Sequence, residues 1–195
     1  MRPRWLISFF LFSCVQADAQ ANGQAPPDNF LSHPESLCTA LEENGLHAGR
    51  WLRIGAAFGQ TQMTYSYPSP YACEAPQWVH PVPNQPPPGP DSPGFSVLYR
   101  VSGDAETHAD IITIAVTVHR PDSMDAGEEE LRRDIDVLFK SIKQPLPAGL
   151  IPSISRHHYF RSRQAYGFVS FAVVVPERTA DSRRGQQVLR FRIWK

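Results

Sequence analysis

DAGEEELRRDIDVLFKSIK, residues 125–143, is the stretch whose reading decides the fold. Leu131, Ile135, Leu138 and Ile142 fall at i, i+4, i+7 and i+11, one continuous apolar stripe at helical spacing, and Phe139 widens it. Asp125, Glu128, Glu129 and Glu130 crowd the first turns and Lys140 and Lys143 the last, a distribution that complements the helix dipole. Glu128–Arg132, Glu129–Arg133 and Asp136–Lys140 are i,i+4 pairs on the wet side, each supporting the helix by a few tenths of a kcal/mol. Pro145 and Pro147 stop it. A helix this amphipathic needs an apolar surface to cover it.

Two alternating segments supply that surface. Phe95, Val97, Tyr99 and Val101 alternate with Ser96, Leu98, Arg100 and Ser102. After a turn, Ile112, Ile114, Val116 and Val118 alternate with Thr113, Ala115 and Thr117. This is a hairpin with one face more apolar than the other. A second hairpin follows the helix, with Val169, Phe171, Val173 and Val175 on one strand. Its last strand carries Leu189, Phe191 and Ile193, with Arg190 and Arg192 opposite them. Residues 176–186 join those strands as a long basic connection. Leu150, Ile151 and Ile154 mark a short helical turn near Pro152. The order predicts an α+β fold, an antiparallel sheet of two hairpins packed by one long amphipathic helix. A β-sandwich fits less well, because it leaves the 125–143 stripe uncovered.

Ahead of the first hairpin, Leu31 to Leu46 reads as one helix. Ser32 and Glu35 form an S-x-x-E capping box, Pro34 lies in the first turn, and Leu37, Cys38 and Leu41 share a face. Gly45 can take the left-handed closing position, with Leu46 folded back on Leu41. Met63, Tyr65 and Tyr67 alternate as a strand would, and Trp51, Leu52 and Ile54 suit another. Pro68 and Pro70 interrupt before Cys73. Residues 81–93 hold seven prolines in thirteen positions, a density that no central strand or helix survives. They read as an extended surface loop.

The first twenty-one residues follow a different logic. A basic start, the apolar run Leu6–Ser13 and the small-x-small steps Ala17–Ala19 and Ala19–Ala21 read as a secretory signal peptide. The apolar run is too short to cross a membrane, which takes about twenty residues, and no later segment comes close. Leu11-Phe-Ser-Cys14 offers the alternative of a lipobox, with a structural envelope lipoprotein anchored at Cys14. Residues 22–29 are then a disordered polar linker and 30–195 a single α+β domain. Export sets how the cysteines are read. With Cys14 removed or acylated, Cys38 and Cys73 remain as the candidate pair, and an oxidising compartment bonds them. The loop of 35 residues makes the link worth about 3.5–4 kcal/mol on chain-entropy grounds, and it ties the N-terminal helix to the sheet. The alternative is two buried thiols. Neither cysteine has a partner at zinc-ligand spacing.

The formal charge of zero hides an asymmetry: residues 22–149 carry 8 Lys+Arg against 16 Asp+Glu, and residues 150–195 carry 9 against 2. The plainer expectation is that the basic C-terminal strands lie beside the acidic helix and neutralise it. The alternative is a surface for anionic partners. Arg156, His157, His158, Arg161, Arg163, Arg183, Arg184, Arg190 and Arg192 are the candidate binding residues, since arginine forks on a rigid sheet can meet carboxylate or phosphate in pairs of hydrogen bonds. Tyr159, Phe160 and Tyr166 interleave with them, a pattern that suits glycan or simply core aromatics beside solvated arginines.

Asp104, Glu106, His108 and Asp110 recur at every second position, so on an extended segment they could face a divalent cation. They also fall where a hairpin must turn, and turns are polar. His119 and Asp122 could serve acid–base work, or Asp122 could simply start a turn. A hydrolase or metal-dependent enzyme using His108, His119 and nearby carboxylates is therefore the rival reading. No G-x-S-x-G, P-loop, G-x-G-x-x-G, C-x-x-C or H-E-x-x-H motif is present, and no motif calls for a cofactor.

Phe30-x3-Pro34-x2-Leu37-Cys38-x2-Leu41-x3-Gly45-Leu46, followed by Trp51, Cys73 and Glu177-Arg178, resembles small exported bacterial proteins of unknown function. The resemblance implies export and a single domain, and no activity. The expected function is a non-enzymatic binding module of the bacterial periplasm or cell envelope. Its partner would be an envelope protein or an anionic glycan rather than nucleic acid, met through the basic C-terminal hairpin.

Overall fold

The computed structural model describes residues 29–53, 69–77, 94–175 and 186–195. The proposed signal peptide with Cys14, most of the polar linker, the Met63–Tyr67 alternation, the proline-rich loop, Arg183 and Arg184 lie outside the described residues. The strands are β1 (Leu52–Arg53), β2 (Tyr71–Gln77), β3 (Phe95–Gly103), β4 (Ile111–Val118), β5 (Phe160–Gln164), β6 (Gly167–Val174) and β7 (Gln187–Trp194). They form one seven-stranded antiparallel sheet in the order β1-β2-β3-β4-β7-β6-β5. The sheet is larger than two hairpins. Each predicted hairpin gains strands on its outer side, and the two halves join along β4 and β7. No described helix is long and apolar enough to cross a membrane.

The helices are α1 (Pro34–Cys38), α2 (Met124–Ser141) and α3 (Leu150–Ser155). Leu131, Ile135 and Leu138 are fully buried on α2, with Phe139 and Ile142 nearly so. Each such side chain contributes about 1.5–3 kcal/mol relative to leaving it in water. They face Val97, Tyr99 and Val101 of β3, Ile112, Ile114 and Val116 of β4, and Leu189, Phe191 and Ile193 of β7, all in one core. Gly127 brings the start of α2 close to β4, for a Cβ there would lie 3.0 Å from Val118 and 3.2 Å from Val116. Of the expected surface pairs, Asp136–Lys140 forms at 2.5 Å and Glu128–Arg132 forms, but Arg133 turns to Glu130 instead of Glu129.

The segment 31–46 is not one helix. Phe30–Ser32 and Glu42–Asn44 are single 3-10 turns on either side of α1. The cap at the start is Asn29, whose side chain accepts from the Leu31 N–H at 3.3 Å, rather than Ser32. At the break the Leu37 carbonyl accepts a hydroxyl from outside as well: Tyr99 of β3 donates to it at 2.5 Å. Three-residue bonds such as Ala40 N–H to Leu37 and Asn44 N–H to Leu41 replace the α-helical ladder. The expected ending does form. Gly45 is left-handed at φ 81°, and Leu46 N–H donates to Leu41 at 3.1 Å.

The disulfide Cys38–Cys73 joins α1 to β2, with Cα atoms 5.9 Å apart. A backbone bond from Ala109 N–H to the Leu31 carbonyl at 2.8 Å adds a second tie to the sheet. Trp51 holds the β3–β4 loop by donating its indole N–H to Glu106 at 2.8 Å.

Candidate functional site

All three helices pack on one face of the sheet. The other face is built by the alternate residues of the strands, and their register sets them in rows. One row runs Glu74, Arg100, Thr113, Arg192, Ser170, Arg161 from β2 to β5. The row beside it runs Leu98, Ala115, Arg190, Ala172, and a third runs Ser102, Ile111, Trp194, Phe168, Arg163. Arg190 and Arg192 therefore point away from α2. The expectation that the basic strands neutralise the acidic helix is corrected by this geometry, since side chains on one strand alternate between faces.

Two depressions cross this face. A groove of about 500 Å³ lies over β6 and β7, lined by Ser170, Ala172, Arg190, Arg192, Trp194 and Tyr159, with Ile111, Lys195 and the carboxylate-bearing Asp110 also on its wall. The small residues among these give it depth. A smaller hollow of about 100 Å³ lies beside it over β3, β4 and β7, where Leu98, Ile111 and Ala115 neighbour Arg100, Thr113 and Arg192. The two share Ile111, Arg190 and Arg192, so they adjoin at those side chains and together make a trough divided by them. At its β5 end, Phe168 and Trp194 lie side by side with ring centroids 5.8 Å apart. The Arg161 guanidinium lies 4.7 Å from the Phe168 centroid and 5.5 Å from that of Trp194. Cation–π contact of this kind stiffens a long side chain and leaves its N–H edge for an anion. At the other end Arg100 lies 3.8 Å from Glu74.

The predicted binding residues thus divide. Arg161, Arg163, Arg190 and Arg192 share the face that no described helix covers. Arg156 is exposed at the end of α3 with His158 nearby. His157, left-handed at φ 55°, lies on the helix side, its Nε2 3.0 Å from the Glu128 carboxylate. Arg132 binds Glu128 too and reaches Ser155 of α3 at 2.7 Å. Tyr159 reaches the trough, whereas Phe160 faces the core and Tyr166 packs edge-on against Phe30 at 5.0 Å.

The acidic set does not gather. Asp110 ties the β3–β4 turn, accepting from Asp104 N–H at 2.8 Å and lying 3.5 Å from His108. No group of three His, Cys, Asp or Glu among the described residues could hold a metal ion. His119 sits at the far end of β4 from His108, about 27 Å of strand away, between Ser96 at 3.1 Å and Gln186 at 3.3 Å. Asp122 accepts from Ser123 and pairs with Arg120 instead. The two histidines therefore share no pocket.

Comparison with models of protein families, with curated proteins and with solved structures gave no match.

Sequence reasoning did not single out Arg100, Ser170 or Trp194 for the trough. Their place depends on β4 pairing with β7, which no local pattern announces. It also missed Asp134, a fully buried carboxylate on α2. Asn44 donates to its Oδ1 at 2.7 Å, while Oδ2 has no hydrogen bond. Burial pushes this carboxyl up to about 7; the Asn44 bond pulls it down, Glu130 raises it and Arg133 lowers it. A signal was present, for Asp134 stands three residues after Leu131 and four before Leu138, on the flank of the apolar stripe.

Proposed function

We propose that this chain is an exported, non-enzymatic binding module of the bacterial cell envelope, and that the face of its sheet opposite the described helices holds an anionic glycan. One observation carries the reading: a trough is lined by small residues, by arginines and by the aromatic rings of Trp194 and Tyr159. Sugar rings stack on aromatic faces, and their carboxylates suit guanidinium forks. A rigid sheet holds both without ordering cost at binding. The surrounding charge draws a polyanion in and weakens as salt rises.

The test is retention of the folded protein on an immobilised polyuronate at low salt. The wild-type chain is expected to be retained and to elute as salt rises. Arg190→Glu with Arg192→Glu should pass through unretained while keeping its thermal unfolding transition. Unchanged retention of that variant would overturn the site.

A further inference from the structure

From the order of side chains along the trough we infer that the ligand is a linear acidic polysaccharide with a charge on every second sugar, lying across the strands. This rests on the glycan reading above and deepens it. Within the central row, arginine and hydroxyl alternate from strand to strand: Arg100 on β3, Thr113 on β4, Arg192 on β7, Ser170 on β6, Arg161 on β5. Neighbouring strands lie about 4.8 Å apart, so successive arginines in the row are rooted about 9.6 Å apart. That is close to the length of two pyranose rings in an extended chain. A carboxylate above each arginine would place a neutral sugar over each hydroxyl. Thr113 and Ser170 can exchange hydrogen bonds with sugar hydroxyls, but they carry no charge to offset the desolvation of a second carboxylate. The trough also runs in the right direction. Arg100, Thr113 and Arg192 line the smaller depression and Arg192 and Ser170 the larger, the two adjoining at Arg190 and Arg192, while Arg161 lies beyond them with its guanidinium over Phe168 and Trp194. Glu74 closes the row beyond Arg100, 3.8 Å from its guanidinium, so the charge at that step is partly met within the protein.

The experiment compares binding of hyaluronan oligosaccharides, which alternate charged and neutral sugars, with polygalacturonate of equal length and with neutral chitooligosaccharides. Titration calorimetry on the full chain at 0.15 M salt, near physiological, gives the affinities. Hyaluronan is expected to bind roughly tenfold more tightly than polygalacturonate, with no binding of the neutral chain. Arg192→Gln is expected to weaken it roughly 10- to 100-fold, the loss of a charged hydrogen bond. Arg100→Gln, farther from the C-terminal strands, is the second probe should Arg192→Gln not fold, and should weaken it as well. Thr113→Lys fills a neutral step with charge and should shift preference toward polygalacturonate. Equal or tighter binding of polygalacturonate by the unaltered protein would overturn the alternation while leaving the glycan reading in place. Absence of binding to either polyanion at low salt as well as at 0.15 M would overturn both.

Discussion

Two buried polar side chains decide more than their size suggests. Asp134 has a folded-state value of about 7 against an ordinary 3.8, so the folded protein holds this proton more tightly than the unfolded chain does. Its contribution to stability is fully present below about pH 4 and is lost as pH rises through about 7, at up to about 1.4 kcal/mol per pH unit. Asp134→Asn should remove that slope, keep the partnership with Asn44, and raise stability at pH 8 by roughly 1–3 kcal/mol. Urea unfolding across pH 4–8 checks it, and an unchanged slope would reject the assignment. Tyr99 holds the Leu37 carbonyl from a fully buried position, where burial raises its hydroxyl above the ordinary phenol range. Tyr99→Phe leaves that carbonyl without this donor and should cost about 1–3 kcal/mol, read as a lower urea midpoint with the same slope.

At the scale of elements, the N-terminal segment is held by separate ties, namely the disulfide, the Tyr99 hydroxyl and the Leu31–Ala109 backbone bond. Cys38→Ala with Cys73→Ala is expected to cost about 2–4 kcal/mol. It should lower hydrogen-exchange protection in residues 31–46 more than in α2, which the link does not touch. Equal loss in both would show that the segment and the helix open as one unit. These elements also show what sequence can reveal. α2 was legible because its packing repeats every turn, and β3, β4, β6 and β7 because their apolar residues alternate. The inner residues of β5 include Ser162 and Gln164, so β5 carries no such alternation and reads as a basic loop. Pro76 disguised β2, although at Pro76 that strand pairs only with β3 among the described strands, and proline is tolerated on an edge. The break in 31–46 coincides with a contact from Tyr99, far along the chain, which no local pattern announces. The candidate face was half legible. Arg190 and Arg192 stood out, but the residues that make a trough of them arrive from β3, β5 and β6.

Over the whole molecule, the order β1-β2-β3-β4-β7-β6-β5 makes β7 the strand that both halves need. Leu189, Phe191 and Ile193 lie fully buried beneath α2 and its neighbours. Losing any one large core side chain costs about 2–5 kcal/mol, and domains of this size have only about 5–15 kcal/mol in all. A chain ending at Gln186 is therefore expected to show no cooperative unfolding transition in urea, and a sharp transition would mean that the halves fold without their seam. The same strand order governs timing. As the polypeptide leaves a ribosome, hairpins can flicker into being, but the piece that fuses them is synthesised after all the others. Until it emerges the long helix has only part of its floor. Whichever hairpin forms first, the joined floor under that helix waits for β7.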